Sequence, residues 1–273
     1  MRDIPLFDSL THPTMDGSWL VASDQSNTLR ELELQMAAHN IRWALAVGME
    51  GIGSYHVETY ASHIRSSSKN LFPVAYFDFQ KDESPVRIRK KLRAIARYGY
   101  VGIKLHPRRS CIDLKNKKLP LVFAEAQQQQ LVVLLCTYLY GNVCSSALGS
   151  YLDIDCLLKQ IPPECKVMLV HGGDANLLAM MEISRSRPNV LLDLSFTLCR
   201  YEGSSVDLDI GYLFRTYDRR ICVGSDNPQY HLRDLRRRFN ELSADLTREK
   251  ALNIAHRNLM AFIGVNDPVV DTV

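Results

Sequence analysis

Short apolar runs alternate along this chain with longer segments in which apolar residues recur at helical spacing. The short runs predict buried β-strands, and the longer segments predict amphipathic helices. The eight predicted strands are residues 4–10, 41–48, 71–77, 100–107, 131–136, 166–173, 189–196 and the run from 219 that ends on Asp226. The predicted helices are 28–39, 55–65, 85–98, 119–129, 145–159, 176–186, 207–215, 230–242 and 247–263.

Strands that alternate with helices in this way are joined by crossover connections and therefore run parallel, in a closed barrel or in an open doubly wound sheet. No Gly-x-Gly-x-x-Gly pattern or phosphate loop follows the first predicted strand, which argues against an open sheet that binds nucleotides. The count of eight favours an α/β fold of the (β/α)8 TIM-barrel type. No linker interrupts the pattern, so we predict one domain over residues 1–273.

Composition narrows the class of protein further. Of the 273 residues, 46% are hydrophobic and 23% charged, with a net charge of +3, which indicates a globular enzyme that binds a small molecule rather than nucleic acid or a membrane. No apolar run approaches the length of a membrane helix, and the first residues contain no signal-peptide core. The seven cysteines are scattered without a Cys-x-x-Cys pair, which predicts reduced thiols and a cytoplasmic location. The composition leaves open whether the protein forms a homo-oligomer.

Candidate chemistry collects where the predicted strands end, and in a barrel these ends meet at one mouth. Side chains two residues apart share a face of a strand, so one face per strand can be followed towards the mouth. If these faces point to the barrel axis, five strands bring together His12, Lys104 with His106, Cys136, His171 and Asp226. Two imidazoles and a carboxylate suit a divalent metal, above all zinc, and a Cys136 thiolate could be a fourth ligand.

Each of these residues also has a structural alternative. Asp226 could cap the helix predicted after it, and His12, before Pro13, could cap a turn. Cys136 could be a small apolar core residue, and Lys104 could pair with a carboxylate. These alternatives stay open at the level of the strand pattern alone.

Taken together, the segments at the strand ends resemble the amidohydrolase superfamily, specifically its amidohydrolase-related (amidohydrolase 2) branch. The matching segments are Phe-Asp-Ser-Leu-Thr-His at 7–12, Gly-Ile-Lys-Leu-His-Pro at 102–107, Val-His-Gly-Gly at 170–173, Val-Gly-Ser-Asp-Asn-Pro at 223–228 and the last helix at 253–264. The sequence departs from the pattern at two positions. The first strand of the family carries His-x-His, whereas Leu10 stands at the first position here, and Cys136 stands where a metal-binding His usually ends the fifth strand.

The resemblance implies metal-assisted hydrolysis of a small amide, ester or lactone. A divalent metal, above all zinc, would be bound by His12, His171, Asp226 and Cys136, with Asp226 as general base and His171 as ligand or oxyanion stabiliser. The substrate would contact Lys104, His106, Arg108 and Tyr138, with Arg108 and Arg109 able to form a bidentate anion site. Because related lactonases need no metal, a site without a metal is an alternative. The alternatives are a non-oxidative decarboxylase, or a barrel that binds a ligand or partner without turnover.

Overall fold

The computed structural model describes residues 3–20, 26–79, 83–140 and 149–265. Eight parallel strands form one sheet in sequence order, β1 to β8. They are β1 Leu6–Thr11, β2 Ile41–Val47, β3 Leu71–Tyr76, β4 Gly102–Leu105, β5 Val132–Cys136, β6 Val167–Val170, β7 Val190–Asp193 and β8 Ile221–Cys222.

The sheet closes between its first and last strands. Ser9 N donates to the carbonyl of Val223 at 3.0 Å, and Asp226 N donates to that of Leu10 at 2.9 Å. A parallel bridge between Thr11 and Asn227 continues this contact. The predicted (β/α)8 barrel is therefore confirmed.

Helices follow the strands, at least one after each strand. They are α1 Leu29–Ala38, α2 Val57–Ser67, α3 Pro85–Arg97, α4 Pro107–Ser110, α5 Leu119–Gln128, α6 Tyr151–Leu158, α7 Leu177–Arg185, α8 Thr197–Arg200, α9 Ser205–Thr216, α10 Leu232–Leu242, α11 Arg248–Leu252 and α12 Asn258–Ile263. Local sequence sets several starts: the Thr28 side chain accepts from Glu31 N before α1, and Pro85 opens α3 after Ser84.

The helix predictions differ from the structure in three places. The short helices α4 and α8 escaped prediction because a single turn carries no periodic apolar pattern. The helix predicted at 145–159 is observed as α6, and residues 145–148 lie outside the described part of the chain. The helix predicted at 247–263 contains a π-helical segment, Asn253–Arg257, between α11 and α12.

Two apolar clusters hold the described part of the barrel together. The outer cluster lies between strands and helices and takes one face of each strand, as shown by Leu105, Val133, Leu169 and Leu192. The inner cluster fills the barrel interior and contains Leu10, Leu45, Leu134, Met168, Val170 and Leu191. A filled interior places the ligand-accessible positions at the carboxyl ends of the strands.

The cysteines do not all match the prediction of reduced thiols. Within the described residues, five carry free thiols, namely Cys136, Cys156, Cys165, Cys199 and Cys222. Cys111, whose position next to α4 gave no signal in the sequence, is disulfide-bonded. Among the described helices, none combines the length and the apolar character that crossing a membrane requires.

Candidate active site

The residues predicted at the strand ends lie at one mouth of the barrel. Lys104 belongs to β4 and Cys136 ends β5, whereas His12, His106, His171 and Asp226 each follow a strand. All are nearly inaccessible to solvent except Asp226, whose side chain is 18% exposed. A substrate therefore meets this cluster first at the carboxylate of Asp226.

His12 is held as a neutral imidazole. Its Nδ1 lies 2.9 Å from the carbonyl oxygen of Val47, to which it donates, so the lone pair of Nε2 faces the barrel interior. The Nζ of Lys104 lies 3.3 Å from this Nε2. Burial and the charge of Lys104 lower the pKa of His12 to about 4. Trp19 stacks on the opposite side of the ring, with centroids 5.3 Å apart.

Asp226 is a permanently ionised carboxylate. Burial opposes its ionisation, but its contact with His12 and the charges of His171 and Lys104 lower its pKa to about 2. Its Oδ1 lies 3.4 Å from Nε2 of His12. The alternative role as a helix cap is wrong, because α10 begins at Leu232 with His231 at its N-cap. Asp226 also has a φ of 58°, a costly conformation that places its side chain at the mouth.

His171 reaches the mouth by a route the strand pattern did not predict. In β6, Met168 and Val170 belong to the inner cluster, whereas Val167 and Leu169 belong to the outer one. The prediction that 167, 169 and 171 share the inward face is therefore wrong. His171 turns inward because its own φ is 69° and the two glycines after it also have positive φ.

The inward face of β1 is also interrupted. Leu6 packs in the outer cluster and Leu10 in the inner cluster, although the two were predicted to share a face. The register of β1 with β2 shifts between Leu6 and Phe7 and again between Asp8 and Thr11. Such irregularities break the two-residue period of side chains. In β4 and β5, by contrast, Lys104 and Cys136 lie on the predicted inward face.

Cys136 lies between two histidines from the neighbouring strands. Burial raises the pKa of its thiol, but the charges and hydrogen bonds of His106 and His171 outweigh burial and lower it well below the usual range. Conversely, burial opposes protonation of His171, and Cys136 and Asp226 raise its pKa to about 9. These opposite shifts favour a thiolate at Cys136 beside an imidazolium at His171.

A buried polar network beneath the mouth was missed in the sequence. Asp193, the last residue of β7, accepts hydrogen bonds from the Ser9 and Ser195 hydroxyls and from the His171 backbone N, the last at 3.3 Å. The carbonyl of Ser195 lies 3.0 Å from Nδ1 of His171 and fixes the ring so that Nε2 faces the mouth. The signal that could have revealed it is a carboxylate within the apolar run Leu-Leu-Asp-Leu.

An aromatic rim surrounds His171 at the mouth. Tyr138 and Phe196 contact its ring, with centroids 6.4 Å and 5.5 Å away, and Tyr230 packs on Phe196 at 5.7 Å. Neither Phe196 nor Tyr230 was predicted as a site residue, although the predicted strand 189–196 ends on Phe196.

Two guanidinium groups lie on this rim. Arg108 stacks on Tyr138 at 4.8 Å and Arg200 stacks on Phe196 at 5.0 Å. Arg109 instead donates to the carbonyl of Glu50 at 2.9 Å. The guanidinium groups on this rim are therefore those of Arg108 and Arg200, whereas Arg109 contacts Glu50.

The donor set does not fit the metal that the resemblance implies. Within the described residues, His, Cys, Asp and Glu side chains form no group of three or more with the geometry of a metal site. The Nε2 lone pair of His12 faces the ammonium of Lys104, and Leu10 offers no donor where the family has a histidine. Lys104 thus places its positive charge against the histidine that was predicted to bind zinc.

Comparison with known proteins supports the fold independently. No family model and no curated protein matches this sequence. Solved structures do match over almost the whole length. An uncharacterised TIM-barrel protein of Bordetella bronchiseptica, Bb4693, shares 18% identity and a TM-score of 0.79, covering 96% of this chain and 100% of that one.

Other matching structures come from the superfamily that the sequence resembles. A Pseudomonas putida protein described as a 2-pyrone-4,6-dicarboxylic acid hydrolase shares 16% identity and a TM-score of 0.69, covering 96% of this chain and 98% of that one. The 5-carboxyvanillate decarboxylase LigW of Sphingomonas paucimobilis shares 11% identity and a TM-score of 0.67, covering 97% and 100%. The structural neighbours thus include both hydrolases and decarboxylases, at identities that establish the fold.

Proposed function

We propose that this protein is a metal-independent hydrolase of a small ester or lactone that carries a carboxylate. The observation that supports it is the set of ionised groups at the mouth: the Lys104 ammonium, the His171 imidazolium and the Asp226 carboxylate. Together they offer what acyl transfer needs without a Lewis acid, namely a positive charge for the oxyanion, a proton donor and a proton acceptor.

Lys104 would stabilise the negative charge that develops on the carbonyl oxygen. It is almost completely buried, at 1% exposure, and a charge acts more strongly in such a site than in water. The neutral His12 holds the ammonium in place without cancelling its charge. Lys104 therefore takes the electrostatic role that a metal has in related barrels.

His171 and Asp226 would move the protons. An imidazolium with a pKa of about 9 is protonated at neutral pH and can give its proton to the leaving alcohol. Asp226 is the most exposed carboxylate of the cluster and can accept a proton from the attacking water. Both side chains lie on fixed backbone turns, so their separation is set by the fold.

The residues of the rim are suited to binding a substrate that has a planar, anionic part. Arg108 and Arg200 lie on aromatic rings that border His171, where a guanidinium can bind a carboxylate with two hydrogen bonds. The lactone named for the Pseudomonas putida neighbour carries two carboxylates, which agrees with this choice of substrate class. Tyr138 would pack against the planar part of the substrate.

A panel of lactones and aryl esters, each with and without a carboxylate, tests the proposal. We expect hydrolysis of carboxylate-bearing members, and Asp226→Asn should reduce kcat by about 10²–10⁴-fold, the usual share of acid–base catalysis. The exposed Asp245→Asn is the matched control and should leave kcat unchanged. Hydrolysis of no member of the panel, together with release of CO₂ from a hydroxybenzoate, would replace the hydrolase by a decarboxylase.

A further inference from the structure

We propose that Cys136 is the nucleophile of this site and forms a thioester with the acyl group of the substrate. The inference rests on the proposed hydrolase function and specifies its first chemical step. It changes the role predicted for Cys136, from a metal ligand to the group that attacks the carbonyl carbon.

Cys136 lies where a nucleophile could reach a substrate bound at the mouth of the barrel. It ends β5 with its side chain inside the barrel, directly between β4, which leads to His106, and β6, which leads to His171. Both imidazoles lie close enough to its thiol to lower the thiol pKa. The ring of His171 is fixed through Nδ1 by the carbonyl of Ser195, so its Nε2 is the nitrogen available to the sulfur. A thiolate beside a fixed imidazolium is the arrangement of cysteine hydrolases.

His106 supplies an independent sign that a ligand belongs here. Its side chain is 7% exposed, and its Nδ1 has no hydrogen-bond partner within the described part of the chain. Buried polar atoms are rarely left unpaired, and a bound substrate is one way to satisfy them. The unpaired atom lies on the ring that contacts Cys136, so a substrate carbonyl or leaving group placed there would also lie beside the sulfur.

The other buried cysteines show that burial alone does not lower the pKa of a thiol in this protein. Burial raises the pKa of Cys165 to about 12 and also raises that of Cys222, so both remain protonated thiols. Cys136 is as deeply buried as these two, at 1% exposure. Its two histidine neighbours are what distinguish it, and they make a reactive cysteine out of a core position.

Asp226 explains why a thiolate nucleophile is useful. A carboxylate with a pKa of about 2 is a weak base for removing a proton from water attacking an ester. Cys136 has already lost its proton, so the first attack needs no base. The thioester that results has a better leaving group than an alkyl ester, because a thiolate is a weaker base than an alkoxide, and its departure needs no proton donor.

Formation and hydrolysis of the thioester conserve atoms and protons. The Cys136 sulfur forms a bond to the carbonyl carbon, the bond from that carbon to the alcohol oxygen breaks, and His171 gives its proton to the departing alkoxide. Water then attacks the thioester, Asp226 accepts one proton, and the carbon–sulfur bond breaks to restore the thiolate. The proton taken by Asp226 passes to His171, whose higher pKa favours it, and the cycle closes.

The first test is chemical and needs no substrate. In the native protein at neutral pH, iodoacetamide should alkylate Cys136 faster than Cys165 by at least about tenfold, the change in thiolate fraction that one pKa unit produces. His171→Gln should slow the alkylation of Cys136 and leave Cys165 unaffected. Peptide mass mapping reads both positions. If Cys136 stays unmodified while the exposed Cys156 reacts fully, the proposal is overturned, since the reagent is smaller than any ester substrate.

The second test uses an ester from the panel that the protein hydrolyses. Cys136→Ala and Cys136→Ser should each reduce kcat by at least about 10³-fold, as loss of a nucleophile does, while Cys165→Ala should not. In Asp226→Asn, whose second step is slowed, intact-mass analysis should show the acyl group on Cys136. Full activity in Cys136→Ala overturns this proposal but leaves the hydrolase intact. Absence of hydrolysis by every variant, with Cys136 still reactive, instead rejects the hydrolase.

Discussion

The ammonium nitrogen of Lys104 lies 3.3 Å from Nε2 of His12, across the barrel from β4 to the end of β1. His12 can accept this contact because its Nδ1 donates to the carbonyl of Val47, which leaves the other nitrogen unprotonated. A fixed cation therefore faces the imidazole that was predicted to bind zinc. This pairing is the structural reason why we propose a site that works through charged side chains.

Lys104→Met should remove the charge and keep the length of the side chain. We expect kcat to fall by about 10²–10³-fold, as when one donor of an oxyanion site is lost. The fall should appear in kcat more than in KM, because the charge develops in the transition state. Steady-state kinetics on the best ester of the panel measure it.

The control for this variant is Lys159→Met, which removes a surface ammonium whose side chain is 63% exposed and paired with Asp155. It should leave kcat unchanged. An equally active Lys104→Met would show that the ammonium only fills the interior.

Removal of divalent metals should leave the activity unchanged. The His12 lone pair faces Lys104 and Leu10 offers no donor, so no stable divalent-metal site is expected among the described residues. Dialysis against a strong chelator, followed by metal analysis and the ester assay, measures this. Activity that is lost on dialysis and restored by Zn²⁺ would mean that the metal predicted from the sequence is the correct one.

The sequence was enough to predict the barrel because its strands and helices follow local periodicities. The predicted site residues could be proposed at the strand ends for the same reason, since parallel strands in a barrel end at one mouth. What local patterns could not supply was contact across the barrel. The approach of Lys104 to His12 joins residues far apart in sequence, and it depends on the reach and direction of a long side chain.

Backbone irregularities account for the remaining errors. His171 enters the site through a positive φ, and β1 shifts register, so a strict two-residue alternation fails in both strands. Asp193 was missed because its strand was followed only as an apolar run. A carboxylate inside such a run is itself a signal, since burying it requires hydrogen-bond donors of the kind that Ser9 and Ser195 provide.

Gly224→Ala should destabilise the protein. A Cβ at this position would contact the hydroxyl of Ser9 and lie 2.9 Å from the Cβ of Ser195, both part of the buried network beneath the mouth. Overpacking of this kind costs about 1–3 kcal/mol in the free energy of unfolding. Urea denaturation followed by circular dichroism measures it.

Gly211→Ala is the matched control. Gly211 lies inside α9, where an added Cβ meets only the flexible end of Arg215, with Nη1 at 3.2 Å. Alanine is better than glycine in a helix by about 1 kcal/mol, so this variant should be as stable as the parent or more stable. Equal destabilisation by both variants would mean that close packing at Gly224 is not the cause.

Asp8 should make a contribution to the stability of the protein that falls as pH rises from about 4 to 7. Burial raises the pKa of Asp8 to about 7, despite hydrogen bonds from Ser225, and the charge of Asp193 raises it further. In the unfolded chain the carboxyl has its ordinary pKa of about 4. Between these values only the folded state holds the proton, so the unfolding free energy decreases with pH by up to about 1.4 kcal/mol per unit.

Asp8→Asn should reduce this slope, because asparagine resembles the protonated carboxyl and does not titrate. Asp193, whose pKa burial also raises, leaves a residual slope in the variant. The exposed Asp16 serves as control: hydrogen bonds from Ser54 and Ser18 lower its pKa to about 2, so it is ionised in both states above about pH 5, and from there upwards Asp16→Asn should keep the parental slope. Urea titrations at intervals from pH 4 to 8 compare the three proteins. An unchanged slope in Asp8→Asn would mean that Asp8 is ionised in the folded state throughout, held by the hydrogen bonds from Ser225 and the backbone N of Leu10.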